Sequence, residues 1–389
     1  MFGIKTMSQQ ITKTQMCTKC VMDTSDPLIT FDEHGVCNHC NEFDAVTSKN
    51  WFPNEEGKQR WAAIVEQIKV AGKGQEYDCI LGLSGGVDSS YLAIKVHEWG
   101  LRPLVVHVDA GWNSELAVAN IEAIVKYCNY DLHTHVVDWE DMRDLHLAYL
   151  RAGISNQDVP QDHIFFASLY HFATKNNIRY ILSGGNLATE ATSPEAWHGS
   201  AMDAINLKAI HRKYGEHKLK NYKTISFFEC YIWYPIVKKM RTVRPLNYMP
   251  YIKDKALREL EQTVGYKPYA RKHGESLFTK LFQNYYLPTK FGYDKRKPHL
   301  SSLIVSGQMT RESALEKLAE PLYDCQELEI DIDYFCKKLR ISRQQFDDFM
   351  IIPTHHHTDF PTWDGRYRLL KKVQVVVERL LNRRFNIYS

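Results

Sequence analysis

The chain has 389 residues, 44% hydrophobic and 24% charged, with a formal net charge of +3. That leaves room for a large core in more than one domain, and the charge balance is too even for a dedicated nucleic-acid binder. No apolar run reaches the length of a membrane span and the first residues lack the apolar centre of a signal peptide, so a cytoplasmic protein with no membrane insertion is expected. Residues up to Thr14 carry no pattern and read as a flexible lead-in. Cys17 and Cys20 then form one C-x-x-C pair and Cys37 and Cys40 a second, in a chain whose nine cysteines are an odd number. Two such pairs at this separation predict a zinc ribbon over residues 15–50, four thiolates closing a tetrahedral site around a hairpin near Asp32. A redox pair needs only one C-x-x-C, and four sulfurs leave His34 and His39 as bystanders.

Residues 50–74 read as an amphipathic helix, with W-A-A-I-V-E-Q-I at helical spacing. Residues 79–90 follow, C-I-L-G-L-S-G-G-V-D-S-S, an apolar run that turns through two glycines into the helix-like residues 91–99. Paired glycines let the backbone turn tightly, and the first-turn N–H groups of the new helix point into the turn. Such a place favours an anion. The lysine of the common P-loop is missing, so the hydroxyls of Ser84, Ser89 and Ser90 must add to the main-chain donors of Gly85, Gly86 and Val87. Asp88 would repel bare phosphate. It suits a magnesium ion, which takes one or two carboxylates together with phosphate oxygens.

Beyond the loop, strand and helix alternate. Residues 102–110 form a buried strand ending in Asp109, residues 115–130 a helix, and residues 132–139 a strand. Residues 164–176 form a helix leading to a strand that ends in Ser183, Gly184, Gly185 and Asn186. The alternation predicts an α/β domain over residues 51–265, a parallel sheet with helices on both faces. Ligands in such sheets collect at the carboxyl ends of the strands, where the serine loop, Asp109 and the Gly184 turn converge. Residues 202–223, rich in Lys and His, read as a solvated face or mobile loop, with an anion-steering flap as the functional alternative. Residues 253–263 carry a helical stripe of Ala256, Leu257 and Leu260.

The loop S-G-G-V-D-S resembles that of the PP-loop ATP pyrophosphatase superfamily, adenylate-forming enzymes that cleave ATP between its α and β phosphates to activate a carbonyl or amide oxygen. The resemblance implies an adenine-nucleotide α-hydrolase-like fold with ATP and Mg2+ in the crevice, and places Asp109, Gly184, Gly185 and Asn186 beside the nucleotide. The stretch from Val243, V-R-P-L-N-Y-M-P-Y, resembles the strand end that closes the sheet in many members. Residues 273–311 are too polar and aromatic for plain core. With the loop and the cysteine pairs they resemble the N-acetyl sugar amidotransferases of bacterial surface-polysaccharide and lipopolysaccharide synthesis, over residues 17–380. This implies conversion of an acetamido group on a nucleotide-linked sugar into an acetamidino group. It puts Glu275, Lys280, Asn284, Tyr285, Lys290, Tyr293, Asp294, Lys295 and Arg296 near the sugar, and Lys295 joins Ser84 and Asp88 among the catalytic residues. Guanidinium and ammonium groups suit a diphosphate or a uronate.

Residues 266–389 read as a helical substrate or partner region; residues 332–349 look faintly like helix-turn-helix but are expected to pack, and His355, His356 and His357 to lie in a loop. The remaining cysteines sit in no glutaminase elbow. Ammonia is therefore expected from a separate glutaminase, which the resemblance makes similar to that of the histidine pathway, optionally with a cyclase-like barrel. The rival is a tRNA-thiolating member of the same superfamily, for which no further C-x-x-C follows Cys40.

Overall fold

Five parallel strands, β1 (Cys79–Gly82), β2 (Pro103–Asp109), β3 (Leu132–Val136), β4 (Tyr180–Leu182) and β5 (Arg241–Val243), form one sheet in the order β3-β2-β1-β4-β5 in a computed structural model that describes residues 14–269 and 274–381. Most of the lead-in and His273 lie outside the described residues. The register pairs Ile80 with Leu104 and with Ile181. Side chains alternate across a strand, so Ile80, Leu104, Val106 and Val108 enter one core while Cys79, Leu81 and Val105 enter the other. Both layers are apolar, as a parallel sheet buried on two faces requires.

The ribbon contributes α1 (Asn38–Ala45), and the bridging helix is α2 (Glu55–Ala71). Then follow α3 (Val87–Glu98), α4 (Glu115–Cys128), α5 (Trp139–Ala152), α6 (Val159–Lys175), α7 (Leu187–Glu190), α8 (Ala204–Tyr214) and α9 (Lys253–Val264). Helices α2, α3, α4 and α9 cover one face of the sheet through Trp61, Leu92, Ile124 and Leu260. Helices α5, α6 and α8 cover the other through Met142, Ile164 and Leu207.

Two differences from the sequence pattern have physical causes. Helix α3 begins at Val87, so half of the serine motif is already helix. Helix α5 was not legible, and α6 begins at Val159 rather than Ile164, because α5 buries Asp141, Asp144 and His146 on its inner side and so blurs its apolar stripe. Those carboxylates have partners, as buried charges must. Asp144 accepts from Glu216 N–H at 2.9 Å and faces His211 Nε2 at 2.7 Å; Asp141 accepts from the N–H groups of Lys220, Asn221 and Tyr222. The basic stretch after α8 is thus tied down onto α5, neither a mobile loop nor a flap.

The C-terminal helices are α10 (Leu277–Leu281), continuing through a π turn (Phe282–Tyr286) into α11 (Leu287–Phe291), then α12 (Arg296–Val305), α13 (Arg311–Ala319), α14 (Cys325–Leu339), α15 (Arg343–Ile351) and α16 (Asp364–Leu381). Phe278, Phe335 and Phe346 share a core with Trp112, Leu147 and Leu150 of the α/β layer, so α14 and α15 are packing elements. Burial of each such ring is worth about 1.5–3 kcal/mol. His355 donates its N–H to the Gly153 carbonyl at 2.9 Å, and His357 opens a short turn. No helix among the described residues is long and apolar enough to cross a membrane.

Candidate active site

The serine loop hangs between β1 and α3. Gly85 has φ +84°, and a Cβ there would lie 2.9 Å from the Ala117 carbonyl oxygen, so the turn excludes any side chain. Ser84 Oγ and Ser89 Oγ meet at 3.0 Å, and Gly86 N–H donates to Ser84 Oγ at 3.3 Å. The first bond of the helix is Ser90 N–H to Gly86 O at 3.0 Å, which leaves the amides of Val87, Asp88 and Ser89 ahead of the ladder. Ser90 is fully buried, and its Oγ has no hydrogen-bond partner among the described residues. The Gly85 carbonyl is held from behind by two phenols, Tyr266 at 2.9 Å and Tyr269 at 3.0 Å. Asp88 accepts a short hydrogen bond from Tyr251, whose phenol burial pushes well above its usual range and so keeps protonated as a donor. Sequence reasoning missed these three tyrosines, since nothing in a lone tyrosine announces its partner.

The neighbouring strand ends close in. A Cβ on Gly184 would lie 3.0 Å from Ser89 N, so this turn and the loop touch. Gly185 lies beside Glu190 and Arg244. Asn186 is 2% exposed and caps α7, accepting from Thr189 N–H at 3.0 Å; its amide belongs to the turn. Asp109 shapes the turn after β2 by accepting from Gly111 N–H at 2.7 Å and from Asn113 Nδ2 at 3.1 Å.

Beside Ser84 opens a cavity of about 370 Å³, floored by the ends of β1 and β2, walled by Asp158, Gln161 and Asp162 of the α6 start, and closed by Glu275, Thr279 and Gln283. Glu275 reaches it because Ser114 N–H donates to the Glu275 carbonyl at 2.8 Å and Asn113 bridges to Ser276. The Glu275 carboxylate lies 3.5 Å from where a Gly86 Cβ would stand. Burial, and then the Asp158 charge, hold the Asp162 carboxyl well above the usual range, against the opposing pull of Lys295.

The other expected sugar contacts are distributed differently. Lys290 Nζ donates to the carbonyls of Phe349, Met350 and Ile352 and so finishes α15. Arg296 pairs with Asp294 at 2.8 Å and donates to the carbonyls of Lys317, Leu318 and Glu320 at the end of α13. Lys280 pairs with Glu327 and Asp331. Asn284 donates to Lys280 O at 2.9 Å, Tyr285 stacks on Phe346, and Tyr293 stacks on Trp197 with centroids 4.7 Å apart. These side chains hold the helical region together; of the set, Glu275 is the one brought to the loop and its cavity, and the charge of Lys295 is felt at Asp162. Arg296→Ala is accordingly expected to cost about 2 kcal/mol of stability through lost charge-assisted hydrogen bonds, read as a lower melting temperature, with no selective rise in the KM for a sugar substrate.

Cys17, Cys20, Cys37 and Cys40 are fully buried with their sulfurs all within 4.8 Å of one another. Cys17 to Cys40 is 4.0 Å and Cys20 to Cys37 is 3.6 Å between sulfurs. Tetrahedral zinc with bonds near 2.3 Å asks for about 3.8 Å, so the donor set fits that ion. Backbone N–H groups of Lys19, Cys20 and Cys37 donate to Cys17 Sγ at 3.2 to 3.4 Å, as a charged thiolate would draw them. Antiparallel bridges Met16 to Asp23 and Phe31 to Cys37 frame the two knuckles. The ribbon is seated on the C-terminal helices: Arg311 donates to the carbonyls of Cys17 and Cys20, and Val21 N–H to Ser301 Oγ.

The first strand of the parallel sheet turns through S-G-G-V-D-S-S directly into a helix. Residues 275–374 match the family model described as LPS biosynthesis protein WbpG-like, C-terminal domain. Solved structures that align with the chain include NMN synthetase from Francisella tularensis, 13% identical, covering 74% of this chain and 96% of that one with a TM-score of 0.35. Another is the NH3-dependent NAD synthetase from Campylobacter jejuni in complex with the nitrate ion, 13% identical, covering 68% and 97% with a TM-score of 0.32. No curated protein matches the chain.

Proposed function

We propose that the chain is an ATP-dependent amidotransferase that turns the acetamido group of a nucleotide-linked sugar into an acetamidino group for surface-polysaccharide synthesis. The observation that carries this reading is the approach of Glu275, the first residue matched by the family model, to the glycine loop: its carboxylate lies 3.5 Å from where a Gly86 Cβ would stand. On this reading the loop and the matched region serve one site.

An amide oxygen is a poor leaving group. Transfer of AMP onto it, with loss of the amide proton, gives an O-adenylyl imidate and pyrophosphate; ammonia then adds at the carbon and AMP departs. The amides of Val87, Asp88 and Ser89, with the hydroxyls of Ser84 and Ser89, are placed to hold the departing pyrophosphate. Asp88, oriented by Tyr251, would hold Mg2+, which neutralises charge there. Zn2+ in the cysteine cluster would be structural. Ammonia comes from a separate glutaminase of the histidine-pathway kind, optionally with a cyclase-like barrel. In support, burial pushes the thiols of Cys128 and Cys230 up to about 12, where neither is a nucleophile. We place the reaction in the cytoplasm, with ATP and the nucleotide sugar.

The test is incubation with ATP, Mg2+, ammonium and a panel of nucleotide-linked acetamido sugars. AMP, pyrophosphate and a product whose amide oxygen has become NH are expected. Release of ADP and orthophosphate, or equal use of glutamine by the purified chain alone, would refute the reading.

A further inference from the structure

Helix α6 opens in an unusual way. Asp158 stands at its N-cap, where an aspartate ordinarily accepts from the N–H two or three residues on, yet its side chain makes no capping bond. One reason is local: Pro160 removes the donor at the second helical position. The carboxylate lines the cavity instead, and so does Asp162 one turn later. Residues four apart lie on the same helix face. Two carboxyl groups thereby face one cavity, where a cation would relieve their mutual repulsion.

A second feature points the same way. Gln161, between them and also lining the cavity, is 4% exposed, and its Nε2 has no hydrogen-bond partner among the described residues. Buried amides are normally satisfied. A carboxamide offers either end after a half-turn of its plane, so it can accept from a cation or donate to a carbonyl beside one. The other charges acting on Asp162 are Lys295 and Glu190. The lysine partly offsets the acids.

We infer that the Asp158–Asp162 face of this cavity is the ammonium-receiving site of the amidation, with Asp162 accepting the proton that frees the nucleophile. The assignment rests on the proposed amidotransferase reading. Ammonium gives one proton to the Asp162 carboxylate and becomes ammonia. The nitrogen lone pair forms the new C–N bond at the imidate carbon; the C–O bond breaks with its electron pair passing to AMP. All three hydrogens of ammonia stay on the product, an amidinium, and the Asp162 proton returns to solvent. A carboxyl held well above the ordinary range is the better acceptor for this step. Asp88 at the loop leaves the divalent ion a separate place, so the cavity acids are free of that duty.

Two measurements test this, one of them independent of the sugar. Crystals of the full chain soaked in thallium(I), a monovalent ion close to ammonium in size, should show an anomalous peak between Asp158 and Asp162, displaced by ammonium and missing in Asp162→Asn. No peak there, a peak that survives in Asp162→Asn, or preferential occupation by Mn2+ would overturn the assignment whatever the enzyme's substrate proves to be. In turnover with an active acceptor from the sugar panel, Asp162→Asn should lose about 10²-fold in ammonium-dependent rate, while pyrophosphate exchange into ATP persists. Hydroxylamine, unprotonated at neutral pH, should restore most of the rate. Equal losses with both nucleophiles would mean a structural role and refute the inference. Because Asp162 is a crowded acid, its asparagine variant should fold; Asp158→Asn, tested in parallel, should raise the KM for ammonium with less effect on kcat.

Discussion

Asp88→Asn should abolish ATP-dependent turnover, lowering pyrophosphate release by at least about 10²–10³-fold. The substitution keeps the size of the side chain and an oxygen able to accept from Tyr251, so the loop geometry survives. What it removes is the negative charge beside the first-turn amides, the charge a magnesium ion needs there. Binding and chemistry should separate: ATP still enters the turn, since the amides of Val87, Asp88 and Ser89 are main-chain groups, but pyrophosphate exchange fails. Tyr251→Phe should give a smaller loss in the same assay, because Asp88 then keeps its charge and loses only the hydrogen bond that orients it. If Asp88→Asn retained exchange, the loop carboxylate would not be the metal-binding group.

Removing the metal from the cysteine cluster should have an effect of comparable size on a different property. A structural zinc returns about 10–16 kcal/mol on binding to small ribbons at neutral pH, and residues 14–50 have little other core of their own. Cys40→Ser, or a strong chelator, should therefore unfold the ribbon. The damage should not stop there, because the ribbon carbonyls of Cys17 and Cys20 hold Arg311 and its backbone at Val21 holds Ser301. Limited proteolysis should cut both near the N-terminus and around α12 and α13, while the sheet with its two apolar layers stays resistant. Metal analysis should show one zinc per chain before treatment. Unchanged proteolysis after complete loss of metal would show that the seat holds without the ribbon.

Much of the nucleotide half was legible because its signals are local. A glycine turn between an apolar run and a helix start reads directly, and so do strands ending in Asp109 and Gly184. The cysteine spacing is likewise a local signal. The helical region was harder. Lys290, Arg296 and Lys280 look like anion ligands in a linear reading, yet each meets carbonyls or carboxylates from a distant helix, at Phe349, Lys317 and Glu327. Sequence shows that a cation is present but not which acceptor the fold brings to it. The cavity acids were missed for the opposite reason. In sequence D-V-P-Q-D carries no sign of a site, and only the packing of Glu275 and Thr279 opposite it makes one wall of a cavity. Asn186 shows a third case, a residue of the right type in the right turn whose amide the turn itself uses.

The seat of the ribbon also constrains how the protein comes into being. Arg311 lies 294 positions after Cys17, and chains emerge at about 5–20 residues per second. The knuckles leave the ribosome first but their docking surface arrives on the order of tens of seconds later. Through that interval the newborn ribbon must hold any ion it has bound, and its uncovered apolar side, without help from the later helices.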